Sequence, residues 1–197
     1  MGCRDGVTPA REGEGNRPPP PPGEARARLE KAGFVEVQER TFEANSVFDT
    51  SDQRLQGQRQ LLRLREFGGV ATVTWKGPPA SGPHKSREEI ETVVGDAKAI
   101  GRLWQRLGYR VVFRYEKYRT TLRESEGSEG VAVIDETPIG CFVELEGPAE
   151  WIDKKAQEMG YEVDEYITDS YASLYVIECV RRGIAVGNMV FPEGGKR

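Results

Sequence analysis

Charged residues of one sign recur two positions apart in this chain: Arg63 and Arg65 in QLLRLREF, Glu89 and Glu91 in KSREEIETVV, Lys117 and Arg119 in YEKYRTTL, Glu144 and Glu146 in CFVELEG. In a β-strand, residues i and i+2 stand on the same face, so each pair sets two like charges side by side. The alternate positions are apolar in three of the strands: Leu62 and Leu64, Val73 and Trp75, Cys141, Val143 and Leu145. In VATVTWKG, Thr72, Thr74 and Lys76 share the polar face; Arg87 aligns with Glu89 and Glu91, and Asp135 ends the run VAVID.

Strands outnumber helices. Gly68-Gly69 between QLLRLREF and VATVTWKG is a two-residue hairpin signal, and further strands are expected around VEVQERTFEA and, as a short separate piece, near VFDT. Three helices are expected, each closed by a glycine: one from Glu24 to Gly33, one over roughly 96–107 and one over roughly 149–159. Their apolar stripes need apolar surfaces to cover. The fold class read from this pattern is α+β with a mostly antiparallel sheet. Residues 1–23, rich in Gly and Pro and running to five consecutive prolines, are expected to be disordered or a degenerate first strand; residues 24–183 form the domain and 184–197 a tail.

Composition narrows the function classes. A chain of 197 residues with 37% hydrophobic and 30% charged residues suits one soluble domain. No segment is apolar for long enough to span a bilayer, and no signal-peptide run opens the chain, so a cytoplasmic protein with no membrane partner is expected. A net charge of −4 gives no global drive toward nucleic acid. Cys3, Cys141 and Cys179 lack metal-site spacing and are expected to be reduced. His84, the one histidine, sits in a loop, and no Ser-His-Asp arrangement can be built from it.

Taken strand by strand, the charged faces read as the wet side of a one-sided sheet, with cross-strand ion pairs worth about 0.2–1 kcal/mol each. Taken together they ask for a large ligand, because like charges two apart repel unless a counter-ion lies between them. A polyphosphate calls for several Arg and Lys donors, and the divalent cations that accompany it call for carboxylate oxygens. A sheet curled so that its charged face lines a tunnel supplies both and leaves the apolar face outward for helices.

In their order and spacing, LLRLR, TWKGP, REEIE, YEKYR, VIDETPIG, FVELEG and DSYASL resemble the CYTH superfamily, which includes class IV adenylate cyclases and thiamine triphosphatases, over residues 24 to 180. The resemblance implies a triphosphate tunnel metalloenzyme: an eight-stranded, mostly antiparallel, closed or nearly closed barrel with helices packed outside, acting with Mg²⁺ or Mn²⁺. Carried over by motif position, Arg63, Arg65, Lys76, Arg87, Lys117 and Arg119 bind phosphates; Glu144, Glu146, Asp135, Glu89 and Glu91 serve the metal; Glu89, Glu91 and Lys76 are the catalytic set. The implied substrate is a small triphosphate, namely inorganic triphosphate, thiamine triphosphate or ATP, and the implied state a monomer or homodimer. One departure stands out. The family's N-terminal ExExK strand has its nearest counterpart in EGEGN, where Glu12 and Glu14 keep the spacing but Asn16 replaces the lysine. That loss motivates the alternative of a non-catalytic polyphosphate- or nucleotide-binding module.

Overall fold

The computed structural model describes residues 3–9, 20–79, 85–124, 129–163 and 166–193. Their elements, in chain order, are β1 (Cys3–Pro9), α1 (Pro22–Lys31), β2 (Val35–Asp49), α2 (Arg54–Gly57), β3 (Leu61–Phe67), β4 (Val70–Lys76), β5 (Lys85–Val94), α3 (Ala97–Arg106), β6 (Arg110–Arg123), β7 (Val131–Thr137), β8 (Gly140–Glu146), α4 (Ala149–Glu158), β9 (Tyr166–Ile167) and α5 (Tyr171–Arg182). The strands form one sheet in the order β5-β4-β3-β2-β6-β7-β8-β1-β9. Adjacent strands are antiparallel. β1 pairs with β8 through Gly6 opposite Glu146, and also with β5, the far end of the order, through Cys3 to Gly6 opposite Glu88 to Lys85.

Local chemistry explains the element ends. Gly68 and Gly69 take φ of 56° and 78°, the left-handed values a tight two-residue hairpin needs, and so join β3 to β4. Pro22 opens α1 at a position where its missing N–H costs nothing. Asp96 caps α3 by accepting from Ala99 N at 2.8 Å, and Ser170 caps α5 by accepting from Ser173 N at 3.1 Å. Asp49 organises the turn after β2, accepting from the backbone N–H groups of Thr50, Leu55 and Gln56 at 2.7–2.9 Å.

Two features differ from the sequence reading. VEVQERTFEA and the VFD of VFDT belong to one 15-residue strand, β2, which Asn45 and Ser46 do not interrupt. Both of its edges are paired, to β3 and β6, and these ladders override the weak β-preference of Asn and Ser. The first strand lies at Cys3–Pro9, ahead of EGEGN, while Glu12, Glu14 and His84 lie outside the described residues.

Alternation splits the core in two. From the apolar face of β6 to β8, Leu122, Ala132, Ile134, Cys141, Val143 and Leu145 meet Ala25 and Leu29 of α1, Phe34, and Ile152 and Ala156 of α4. Burying Leu29, Leu122, Leu145 and Ile152 completely contributes about 1.5–3 kcal/mol each. Burial here also pushes the Cys141 thiol up to about 12, with help from Glu136 and Asp135, which fits an inert, reduced cysteine. Phe142, on the opposite face of β8, joins Tyr115, Ile139, Leu174 and Met189 in a second cluster. Thus α5 covers one end of the same face that carries the charges.

Candidate active site

The ladders fix which charged residues become neighbours. Glu43 of β2 lies opposite Lys117 of β6, and Asn45 lies between Arg65 of β3 and Tyr115 of β6. Arg63 is opposite Thr74, which is opposite Glu91; Lys76 is opposite Glu89; Arg119 is opposite Asp135. Each of these positions is separated from the next on its strand by one residue facing the other way, so the sheet gathers them on one face.

Asp135 is one node of this face. Its Oδ1 accepts from Arg119 Nε at 2.7 Å; its Oδ2 accepts from Arg119 Nη2 at 2.6 Å, Lys117 Nζ at 2.7 Å and the Tyr171 hydroxyl at 2.7 Å. Burial alone would raise the pKa of this fully enclosed carboxyl, but Arg119 and Lys117 outweigh it and hold Asp135 below the usual carboxylate range. Arg119 also donates to Glu144 Oε2 at 2.7 Å and comes within 3.9 Å of Glu146. The Lys117 ammonium lies 4.9 Å from the centre of the Tyr171 ring.

Glu43 is a second node, one the charge-pair pattern did not single out. Its side chain is 1% exposed; it accepts from Arg65 Nη2 at 2.6 Å and from Asn45 Nδ2 at 2.9 Å, with Lys117 Nζ at 3.5 Å. Burial opposes its charge, yet Lys117, Arg119, Arg65 and Arg63 together depress its pKa strongly. The available signal was alternation along TFEANSVF, which sets Glu43, Asn45 and Val47 against Phe42, Ala44, Ser46 and Phe48. Tyr171, which opens α5, donates its hydroxyl to Asp135.

A third group runs across β3, β4 and β5. Arg63 donates to the Tyr115 hydroxyl at 3.3 Å and to Thr74 Oγ1 at 3.1 Å, and Thr74 in turn donates to Glu91 Oε2 at 2.8 Å. Lys76 pairs with Glu89. Burial, then the nearby Arg63, lower the Lys76 pKa, and Glu89 only partly restores it. Arg87 stands at the register position opposite Arg4 of β1.

Among the described residues, three buried polar side-chain atoms have no hydrogen-bond partner: Arg63 Nε, Arg65 Nε and Asn45 Oδ1. A buried polar group left unpaired costs about 1–3 kcal/mol, and native structures keep few of them without a use. Unpaired guanidinium N–H groups inside a charged recess suit anionic oxygens.

The acidic side chains do not amount to a ready cage for Mg²⁺ or Mn²⁺. Both oxygens of Asp135 are taken by N–H and O–H donors, Glu144 is held by Arg119, and Glu89 is held by Lys76. Among the described residues no three His, Cys, Asp or Glu side chains converge to hold an ion. Glu144 and Glu146 do stand together on one face, as do Glu89 and Glu91, but the two pairs lie on different strands and Asp135 does not complete either.

Arg63 and Arg65 of β3, Lys76 of β4 and Lys117 and Arg119 of β6 thus share one face of the sheet, several of them braced by the buried carboxylates of Glu43 and Asp135. The chain belongs to the CYTH domain family, whose model matches residues 19–171. It is 28% identical over 128 residues to MJ0240 of Methanocaldococcus jannaschii, a protein provisionally named an adenylate cyclase; the match spans 65% of this chain and 71% of that one. Among solved structures, a Vibrio parahaemolyticus protein provisionally described as an adenylate cyclase aligns with a TM-score of 0.70 and 17% identity, covering 87% of this chain and 96% of that one. The Hippeastrum protein HpAC1, provisionally described as an adenylyl cyclase and reported with a dominant triphosphatase activity, aligns with a TM-score of 0.58 and 16% identity, covering 94% and 98%. Among the described residues no helix is long and apolar enough to cross a membrane.

Proposed function

We propose that this chain binds a linear triphosphate in a tunnel formed by β1 to β8 and hydrolyses it. The observation that carries this reading is the set Arg63, Arg65, Lys76, Arg87, Lys117 and Arg119 on one sheet face, with two buried guanidinium N–H groups still unpaired. The pairing of β1 with both β5 and β8 supports a closed or nearly closed eight-stranded barrel. The substrate is inorganic triphosphate, thiamine triphosphate or ATP.

The roles follow from the contacts. Asp135 and Glu43 are the anchors: they fix Arg119, Lys117 and Arg65 in place, so the donors need little reorganisation when phosphate oxygens arrive. Arg63 and Arg65 offer their free Nε–H groups to the phosphate chain. Glu89 and Glu91, at the β4–β5 edge, take the proton of the attacking water, and Lys76 stabilises charge developing on the oxygen of the bond that breaks. Water adds to the terminal phosphorus, its bond to the bridging oxygen breaks, and orthophosphate leaves. Were Mg²⁺ or Mn²⁺ bound, Glu144 and Glu146, on one face of β8, would be the carboxylates to hold it, and it would neutralise charge on the phosphates. The triphosphatase activity stated for HpAC1 supports hydrolysis; the names of the Methanocaldococcus and Vibrio proteins support the cyclase variant, in which a ribose 3′-hydroxyl attacks the α-phosphorus of ATP and pyrophosphate leaves.

The full engagement of Asp135 by three side chains favours a second reading, a polyphosphate- or nucleotide-binding module without turnover. One assay separates them. The protein is incubated with inorganic triphosphate, thiamine triphosphate or ATP plus Mg²⁺ or Mn²⁺, and the products are identified. Orthophosphate supports hydrolysis, and cyclic AMP with pyrophosphate the cyclase. Saturable binding without products supports the module, and no binding of any of the three rejects all of these readings.

A further inference from the structure

We infer that Asn45 is a specificity-determining residue whose Oδ1 accepts a hydrogen bond from an O–H group of the bound triphosphate. The inference rests on the triphosphate reading and adds to it a demand on the ligand that the basic residues do not make.

The orientation of the amide is settled by its neighbour. Glu43 is ionised and can only accept, so the Asn45 nitrogen must face it, as the 2.9 Å contact from Nδ2 to Glu43 Oε1 shows. That leaves Oδ1 as the atom without a partner, on a residue only 3% exposed. Glu43 cannot release the nitrogen without cost, because Arg65 and Lys117 hold its carboxylate. The amide is therefore locked with Oδ1 as its unpaired acceptor.

The register makes this acceptor part of the phosphate recess. Asn45 lies opposite Arg65 on one side and Tyr115 on the other, and Tyr115 accepts from Arg63. Arg63 Nε and Arg65 Nε, the other two unpaired atoms, seek acceptors, whereas Asn45 Oδ1 seeks a donor. A fully ionised phosphate chain offers oxygens alone and satisfies only the two arginines. A ligand that satisfies all three atoms has an O–H beside its phosphates. Two sources provide one: a sugar hydroxyl next to the chain, or a terminal phosphate that keeps its last proton below about pH 6.

Calorimetric titration of the whole chain with ATP, 2′,3′-dideoxy-ATP and inorganic tripolyphosphate, the last at about pH 6 and about pH 8, tests this. If the sugar supplies the donor, the native protein binds ATP roughly tenfold more tightly than the dideoxy analogue, and Asn45→Leu removes that preference. If the phosphate supplies it, the native protein prefers tripolyphosphate at the lower pH, and Asn45→Leu removes the extra preference, leaving only the part due to titration of Glu43, Lys117 and the other groups around it. Native protein that binds these ligands but shows neither preference overturns the role of Asn45, and needs no variant to do so. A preference that survives in a folded Asn45→Leu or Asn45→Ser protein overturns it too. Failure of the native protein to bind any of the three overturns the triphosphate reading itself.

Discussion

Arg119 and Asp135 face each other across β6 and β7 and join through two parallel hydrogen bonds, Nε to Oδ1 at 2.7 Å and Nη2 to Oδ2 at 2.6 Å. The fork leaves Arg119 no rotational choice, and it also reaches Glu144 at 2.7 Å. The pair thereby acts as a fixed part of the recess wall, while Lys117 and Tyr171 complete the coordination of the aspartate.

Asp135→Ala is expected to destabilise the fold by about 3–5 kcal/mol, because it leaves the buried Lys117 and Arg119 without their main counter-charge. Urea denaturation measures it. Loss of less than about 1 kcal/mol would show that the cations reach water or other partners in the variant.

The same node fixes the response to acid. Burial opposes the charges on Glu43 and Asp135, but the surrounding cations hold both pKa values below those of the unfolded chain. Their contribution to stability is therefore complete above about pH 4, the unfolded value, and is lost as pH falls through the lower folded values. Urea midpoints are expected to hold between about pH 7 and 5 and then drop steeply, and Glu43→Gln is expected to flatten that drop.

Tyr171→Phe removes one hydroxyl donor from Asp135 and leaves the ring over Lys117 in place. The expected loss is about 1–3 kcal/mol, as for a hydrogen bond to a charged group. The phenol is also held well above its ordinary titration range, by burial first and then by Asp135 and Glu144. Tyr166 and Tyr175 are also raised, so ultraviolet titration of the native protein should show a late-ionising tyrosine fraction that shrinks by one residue in Tyr171→Phe.

Lys76 should give triphosphate binding an alkaline limb. Its ammonium is discharged more easily than that of a free lysine, by burial and then by Arg63, and a phosphate oxygen binds only the charged form. Affinity is expected to fall with rising pH before the ordinary lysine value of about 10.4 is reached. In Lys76→Met, affinity should start lower and lose this slope.

The charge pattern carried part of this architecture. Period two put Arg63 with Arg65, Lys117 with Arg119 and Glu144 with Glu146 on shared faces of their own strands, and Gly68-Gly69 placed the β3–β4 turn, while the ladders between strands bring those faces together. Glu43 and Asn45 were not visible as site residues: a lone Glu beside an Asn in TFEANSVF carries no like-charge signal, and its importance comes from β3 and β6, which are distant in sequence. The contact of Tyr171 with Asp135 joins positions 36 residues apart, and local pattern offers no way to read it. The β1 strand was obscured because CRDGVTP has neither alternation nor β-formers in number; pairing on both of its edges places it instead. Spacing likewise cannot reveal that Asp135 accepts from Lys117, Arg119 and Tyr171.

The central claim is that the cationic face of β3 to β6 holds a triphosphate chain, and isothermal titration with inorganic tripolyphosphate tests it most directly. The expected result is saturable binding that weakens with salt and falls at least tenfold in Arg63→Ala, whose side chain lends both a charge and an unpaired N–H to the recess. Native protein with no saturable binding, or Arg63→Ala protein that remains folded and binds as tightly as the native chain, would contradict it.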